Sequence, residues 1–154
     1  NAFLEEVFLW LSENLPLNPN PKKLCWGDSR IGNVLFEDFQ VKSLLDWEMA
    51  TIGDPLCDLA WGLTTDDVSS HGLNIEKLPG SIANEEAIKF WEKNTGFSAE
   101  NFFYYRILCL FKFSVIMIRV AKKLIHNEIM PLDSDFHVNN HVSNYLRQEF
   151  NEKN

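Results

Sequence analysis

Between Lys23 and Leu45 the chain offers no apolar run long enough for more than a short strand, and beyond Asp54-Pro55 its apolar residues recur at helical spacing. Lys23–Cys25, Asn33–Phe36 and Val41–Leu45 read as strands, the last two joined in a hairpin around Glu37-Asp38. Ahead of them, Phe3, Leu4, Val7, Phe8, Trp10 and Leu11 give Phe3–Asn14 a helical period, which Pro16, Pro19 and Pro21 end. Asp54 reads as an N-cap, with no further role, and Pro55 as the first residue of a helix reaching about Leu63. Further helices are expected over Asn84–Asn94, from a cap at Ser98 to about His126, and over Pro131–Phe150; Thr64–Gly80 reads as polar and irregular. No alternating βαβ series and no internal repeat is present, which argues against a doubly wound sheet. The expected fold class is α+β, mainly α-helical, with a small β hairpin, in one domain over residues 1–154.

Composition narrows the partners. With 45% hydrophobic residues, 12 Phe and 5 Trp, the chain can build a packed core. A net charge of −8 argues against nucleic acid, whose phosphates need a basic face. The most apolar stretch, Ile107–Ile125, contains Lys112, Arg119, Lys122 and Lys123, too many charges for a membrane span. Cys25, Cys57 and Cys109 are widely spaced and form no CxxC, so free thiols in a reducing cytoplasm are expected.

The chemistry concentrates in three short stretches: Trp26-Gly-Asp-Ser-Arg-Ile-Gly-Asn33, Leu45-Asp-Trp-Glu48, and Gly53-Asp-Pro-Leu-Cys-Asp-Leu-Ala-Trp61. Phosphoryl transfer to an alcohol needs a carboxylate to orient the hydroxyl and oxygen ligands for the cations that bridge the phosphates. Asp28 and Asn33 have the D-x-x-x-x-N spacing of a kinase catalytic loop, and Asp46 follows one hairpin later, at the end of a strand. Any one of these residues would be a weak signal, but the spaced set is specific.

These stretches resemble the HGD-x-x-x-x-N and D-W/F-E motifs of aminoglycoside phosphotransferases and choline-kinase-like proteins. The run of D-W-E, G-D-P and D-L-A-W is similar to the kinase-like domains fused to some acyl-CoA dehydrogenases. The likeness is strong over Leu24–Trp61 and looser over Ala87–Lys123. It implies a kinase-like C-terminal lobe and an ATP-dependent phosphotransferase acting on a hydroxyl of a small molecule, with Mg²⁺ as cofactor and ATP as co-substrate. The acceptor would be a hydroxylated metabolite or an acyl-CoA-type hydroxy acid, or less readily an aminoglycoside. By the same likeness Asp28 would be the catalytic carboxylate, Asn33 and Asp46 the magnesium ligands, and Asp58 a brace for the catalytic loop through backbone N–H groups. Arg30 would reach a phosphate or an acidic substrate group, and Glu48 would face the metal region or cap a turn.

Two features depart from the family pattern. Trp26 stands where the family has His; an indole packs and donates one hydrogen bond but accepts none, which puts the bracing of the loop in question. Further, no Gly-rich loop, strand lysine or helix glutamate precedes Asp28, so the nucleotide-covering N-lobe is expected to be missing from these residues and to be supplied by the full-length protein. Acceptor-binding residues are expected between about Asp66 and Asp135. Two alternatives remain at this stage: a non-catalytic kinase-derived binding domain, and a metal-dependent phosphohydrolase using Asp28, Asp46, Glu48 and Asp54. His137 and His141, four apart, read as a solvated helix end rather than a metal pair.

Overall fold

The computed structural model describes residues 1–77 and 79–152. Its elements, in chain order, are α1 (Ala2–Glu13), β1 (Lys23–Cys25), β2 (Val34–Glu37), β3 (Gln40–Leu44), β4 (Thr51–Gly53), α2 (Leu56–Ser70), α3 (Asn84–Thr95), α4 (Phe102–His126) and α5 (His141–Asn151). Single 3₁₀ turns at Ile31–Asn33 and Trp47–Met49 stand in the two polar loops. The class is α+β and mainly helical, as the sequence indicated.

Two antiparallel ribbons are nested. β1 pairs with β4, and the β2–β3 hairpin lies between them in sequence. This nesting makes the loop that leaves β1 run beside the loop that leaves β3. The hairpin turns at Asp38-Phe39, both at positive φ (49° and 60°), as a two-residue turn requires; Phe39 is fully exposed. β4 has no counterpart in the sequence reading, because Thr51–Gly53 is too short to show a period.

The long helix α4 is the centre of the helical part. One side packs Ile107, Leu110 and Met117 with Leu4, Val7 and Leu11 of α1 and Val142, Leu146 and Phe150 of α5. The other side packs Tyr105 and Cys109 with Leu56, Ala60 and Trp61 of α2. The seven-residue spacings 103, 110, 117 and 4, 11 are those of helix faces turned to a core.

Three boundaries differ from the sequence reading. α2 continues to Ser70, although Thr64–Ser70 is poor in helix formers. Thr65, Ser69 and Ser70 return their hydroxyl hydrogens to carbonyls one turn back, and Val68 and Asp67 are buried, so tertiary contacts override propensity. α5 starts at His141, not Pro131, because the Asn140 side chain accepts the Ser143 N–H at 3.0 Å and caps the helix there. Ser98 is not the cap of α4; its hydroxyl accepts from Glu100 N, ahead of a helix that begins at Phe102. His137 therefore lies outside the helix that His141 opens.

Asp54 does more than cap. Its carboxylate accepts the Leu56 N–H at 2.9 Å, and also the Asn20 backbone and side-chain N–H groups and the Tyr105 hydroxyl. The proline-rich connector is thereby tied to both α2 and α4. Among the described residues no helix is long and apolar enough to cross a membrane.

Candidate active site

The site is the pair of loops between the nested ribbons. Asp28 lies in the loop after β1, with a buried carboxylate that three donors hold. Trp61 Nε1 donates to Oδ1 at 2.7 Å; Asn33 Nδ2 and Arg30 Nε donate to Oδ2 at 2.7 and 3.0 Å. Asn33 Nδ2 also reaches the Asp28 carbonyl at 3.1 Å, which closes the five-residue loop on itself. The D-x-x-x-x-N spacing thus has a local structural reason: a 3₁₀ turn brings the amide back over the carboxylate.

Two bonds tie the second loop to the first. Leu45 N donates to Asn33 O at 2.8 Å, and Trp26 Nε1 donates to Leu45 O at 2.7 Å. The indole at the position of the family's His therefore fixes the peptide that leads into Asp46, and its ring lies 6.0 Å from that of Trp47. Asp46 adopts the left-handed conformation (φ 59°, ψ 60°), which turns the chain sharply at the end of β3, and it is exposed. Glu48, exposed in the following 3₁₀ turn, is on the same loop.

α2 supports the Asp28 loop from below. Asp58 accepts the N–H groups of Trp26 and Gly27 on its two carboxylate oxygens, at 2.6 and 2.8 Å, and the Ser29 hydroxyl donates to the Asp58 carbonyl at 2.6 Å. One turn on, Trp61 points the same way and holds Asp28. Two glycines make this approach possible. A Cβ on Gly27, at φ 90°, would lie 2.2 Å from the Met49 carbonyl oxygen; one on Gly62 would lie 2.7 Å from that of Ser29.

Sequence reasoning missed Trp61 and Gly62 as site residues. The signal for Trp61 was present: it stands three residues after Asp58, so both side chains share one helix face. Arg30, expected to reach a phosphate or an acidic substrate group, has its Nε on Asp28 in a half-exposed pair.

The oxygen set fits a hard divalent cation. Asn33 uses its amide N–H on Asp28, which leaves Oδ1 as its acceptor, and the Asp46 carboxylate does not cap the turn that follows it. Asp54 is not part of this set, being engaged with Asn20, Leu56 and Tyr105. Among the described residues no three His, Cys, Asp or Glu side chains gather as a metal site of their own.

A sequence model of the phosphotransferase enzyme family matches residues 1–88, a stretch that contains the loops, their ribbons and α2. The chain belongs to the phosphotransferase enzyme family. Among its relatives in that family context are acyl-CoA dehydrogenase family member 11 from Gallus gallus, 33% identical over 80% of this chain, and from Pongo abelii, 32% identical over 73%. These matches span only 18% and 16% of the relatives' lengths. The fold is that of a solved Ralstonia eutropha protein named for the aminoglycoside phosphotransferases. The match has a TM-score of 0.70 and 18% identity, and covers 95% of this chain and 46% of that one.

Proposed function

We propose that this chain is the catalytic and acceptor lobe of an ATP-dependent phosphotransferase that phosphorylates a hydroxyl of a small molecule. The observation that carries the reading is the Asp28 carboxylate, held by Trp61, Asn33 and Arg30 next to a loop that presents Asp46. In this reading Asp28 orients the acceptor hydroxyl and accepts its proton. The half-exposed Arg30 contact is the one of the three that an acceptor would displace, freeing the guanidinium for a phosphate or an acidic group. Asn33 and Asp46 hold Mg²⁺, which neutralises charge on the ATP phosphates when bound. Glu48 borders the same region. Trp26 and Asp58 keep the two loops in register, Asp58 through the backbone N–H groups it accepts.

The nucleotide-gripping lobe is assigned to sequence outside these 154 residues. The acceptor is a hydroxylated metabolite, with an acyl-CoA-type hydroxy acid favoured over an aminoglycoside by the dehydrogenase-fused relatives. Free thiols at Cys25, Cys57 and Cys109 suit a reducing cytoplasm. A phosphohydrolase built on Asp28, Asp46, Glu48 and Asp54 is disfavoured because Asp54 is buried in other bonds.

The test is Asp46→Ala in the full-length protein, assayed for acceptor-dependent ADP release across a Mg²⁺ series. Loss of turnover that extra Mg²⁺ does not restore is expected. An unchanged Mg²⁺ dependence would remove Asp46 from the metal site.

A further inference from the structure

α1 and α4 carry opposite charges. α1 has Glu5, Glu6 and Glu13, all exposed, and no Lys or Arg; the first cation of the chain is Lys22. α4 exposes Lys112, Arg119, Lys122 and Lys123 and has no Asp or Glu along its 25 residues. Apolar side chains lie exposed among both sets of charges, Phe8 and Leu9 on α1 and Val115, Ile116 and Val120 on α4. An apolar row on the outer face of a packed helix marks a contact surface more than a solvated one.

The two helices are antiparallel neighbours: Phe8 meets Phe111 at 6.2 Å, and Trp10, farther along α1, meets Phe103, earlier in α4, at 5.9 Å. Phe111 also lines an open groove of about 790 Å³ that follows α4 past Lys112, Val115, Ile116 and Arg119. The acidic row therefore adjoins the cationic one across a Phe8–Phe111 seam. The two rows do not satisfy each other within the chain. Among the described residues Glu6, Glu13, Lys112, Arg119, Lys122 and Lys123 take part in no ion pair, and Glu5 pairs with the Asn1 amino group.

We infer that the α1–α4 face binds a second copy of this chain. A half-turn about an axis along the seam exchanges the two helices, so the acidic α1 of one copy lies over the cationic α4 of the other, and the reverse contact forms at the same time. Glu5 and Glu6 of one copy then face Lys112 and Arg119 of its partner, and Phe8 and Leu9 cover the aliphatic side chains of the groove. A net charge of −8 makes copies repel at long range, so the contact has to come from a face that carries both signs. The opposite wall of the groove is Glu48 and Met49, in the loop that follows Asp46, so the partner's α1 seats beside that loop. The inference does not depend on the phosphotransferase reading.

The experiment mixes full-length protein made with light and with isotopically heavy nitrogen and joins touching carboxylate–lysine pairs with a carbodiimide. Mass spectrometry should find peptides that link Glu5 to Lys112 with one light and one heavy half, in a yield that falls as salt is added. Association through another part of a longer chain does not imitate this, because the linked pair itself is read. Arg119→Glu and Glu6→Lys each set like charges opposite one another twice per dimer, and each alone should lower the hybrid link about tenfold or more. Both residues are exposed, so the fold should be kept, and neither is one of the linked residues. Light Arg119→Glu mixed with heavy Glu6→Lys pairs opposite charges again and should restore the link. Three results would overturn the inference: Glu5–Lys112 links confined to one isotope, Lys112 joined only to carboxylates outside α1 (the mark of another occupant of the groove), or a hybrid link that neither charge reversal changes.

Discussion

The indole N–H of Trp61 lies 2.7 Å from Oδ1 of Asp28, and this bond joins the middle of α2 to the carboxylate around which the site is built. Trp61 is itself buried against Phe113, so the donor has little freedom to move. Trp61→Phe keeps most of the packing and removes only the donor. A hydrogen bond to a charged group is worth about 1.5–3 kcal/mol, so kcat in the full-length protein should fall on the order of tenfold or more. KM for ATP should change little, because the indole touches no part assigned to the nucleotide. Steady-state kinetics of the variant check both numbers.

Gly27 has no room for a methyl group. Its φ of 90° is unfavourable for any other residue, and a Cβ would lie 2.2 Å from the Met49 carbonyl oxygen, a backbone atom that cannot rotate away. Gly27→Ala should destabilise the chain by about 1–3 kcal/mol from backbone strain, with more from the clash. The urea midpoint measures this. A wild-type midpoint would mean that the β4 side of the loop is loosely held.

A second network, remote from the loops, governs acid stability. Burial of Asp67 works against its charge, but hydrogen bonds from Lys77, Arg106 and Asn84 outweigh it and hold its carboxyl below the ordinary value of 3.8. Arg106 also binds Glu149 and the Tyr145 hydroxyl, joining α2, α4 and α5. The folded value is depressed, so this stability is fully present above pH 3.8 and is lost as pH falls through the lower, folded value. Unfolding free energy measured down that range should drop, and Asp67→Asn should flatten the drop. At neutral pH the same substitution should cost about 3 kcal/mol, since it leaves a buried guanidinium without one of its two carboxylate partners.

The fold class was legible in the sequence, and the polar residues of the two loops stood out there by their spacing. Asp28 and Asn33 stand out because a loop that folds back on its own carboxylate fixes their spacing, and Asp46 because it follows the second strand of the hairpin. Asp58 stands out because it opens a helix directly after a capped Asp-Pro. Trp61 was not read, because a tryptophan in a helix is ordinarily core, and only the third dimension shows its N–H aimed at a carboxylate. Trp26 looked like a weakness for want of an acceptor, yet the geometry asks only for a donor, to Leu45 O. The second half of α2 was illegible for a different reason: its Thr, Asp and Ser residues favour turns locally, and burial of Val68 with the Asp67–Arg106 pair decides the matter over long range. The start of α5 rests on one side chain, Asn140, inside a run of polar residues that all look alike from sequence.

The central claim is that Asp28 serves phosphoryl transfer from ATP to a hydroxyl. The direct test is the full-length protein and its Asp28→Asn variant, each supplied with Mg²⁺, ATP and a panel of hydroxylated acceptors, with the phosphorylated product followed by mass spectrometry. The amide keeps the size of the side chain and loses the proton acceptor, so the parent should form product and the variant should fall by a factor on the order of 100 or more with its melting temperature near the parent's. Product formation by Asp28→Asn at the parent's rate would contradict the account.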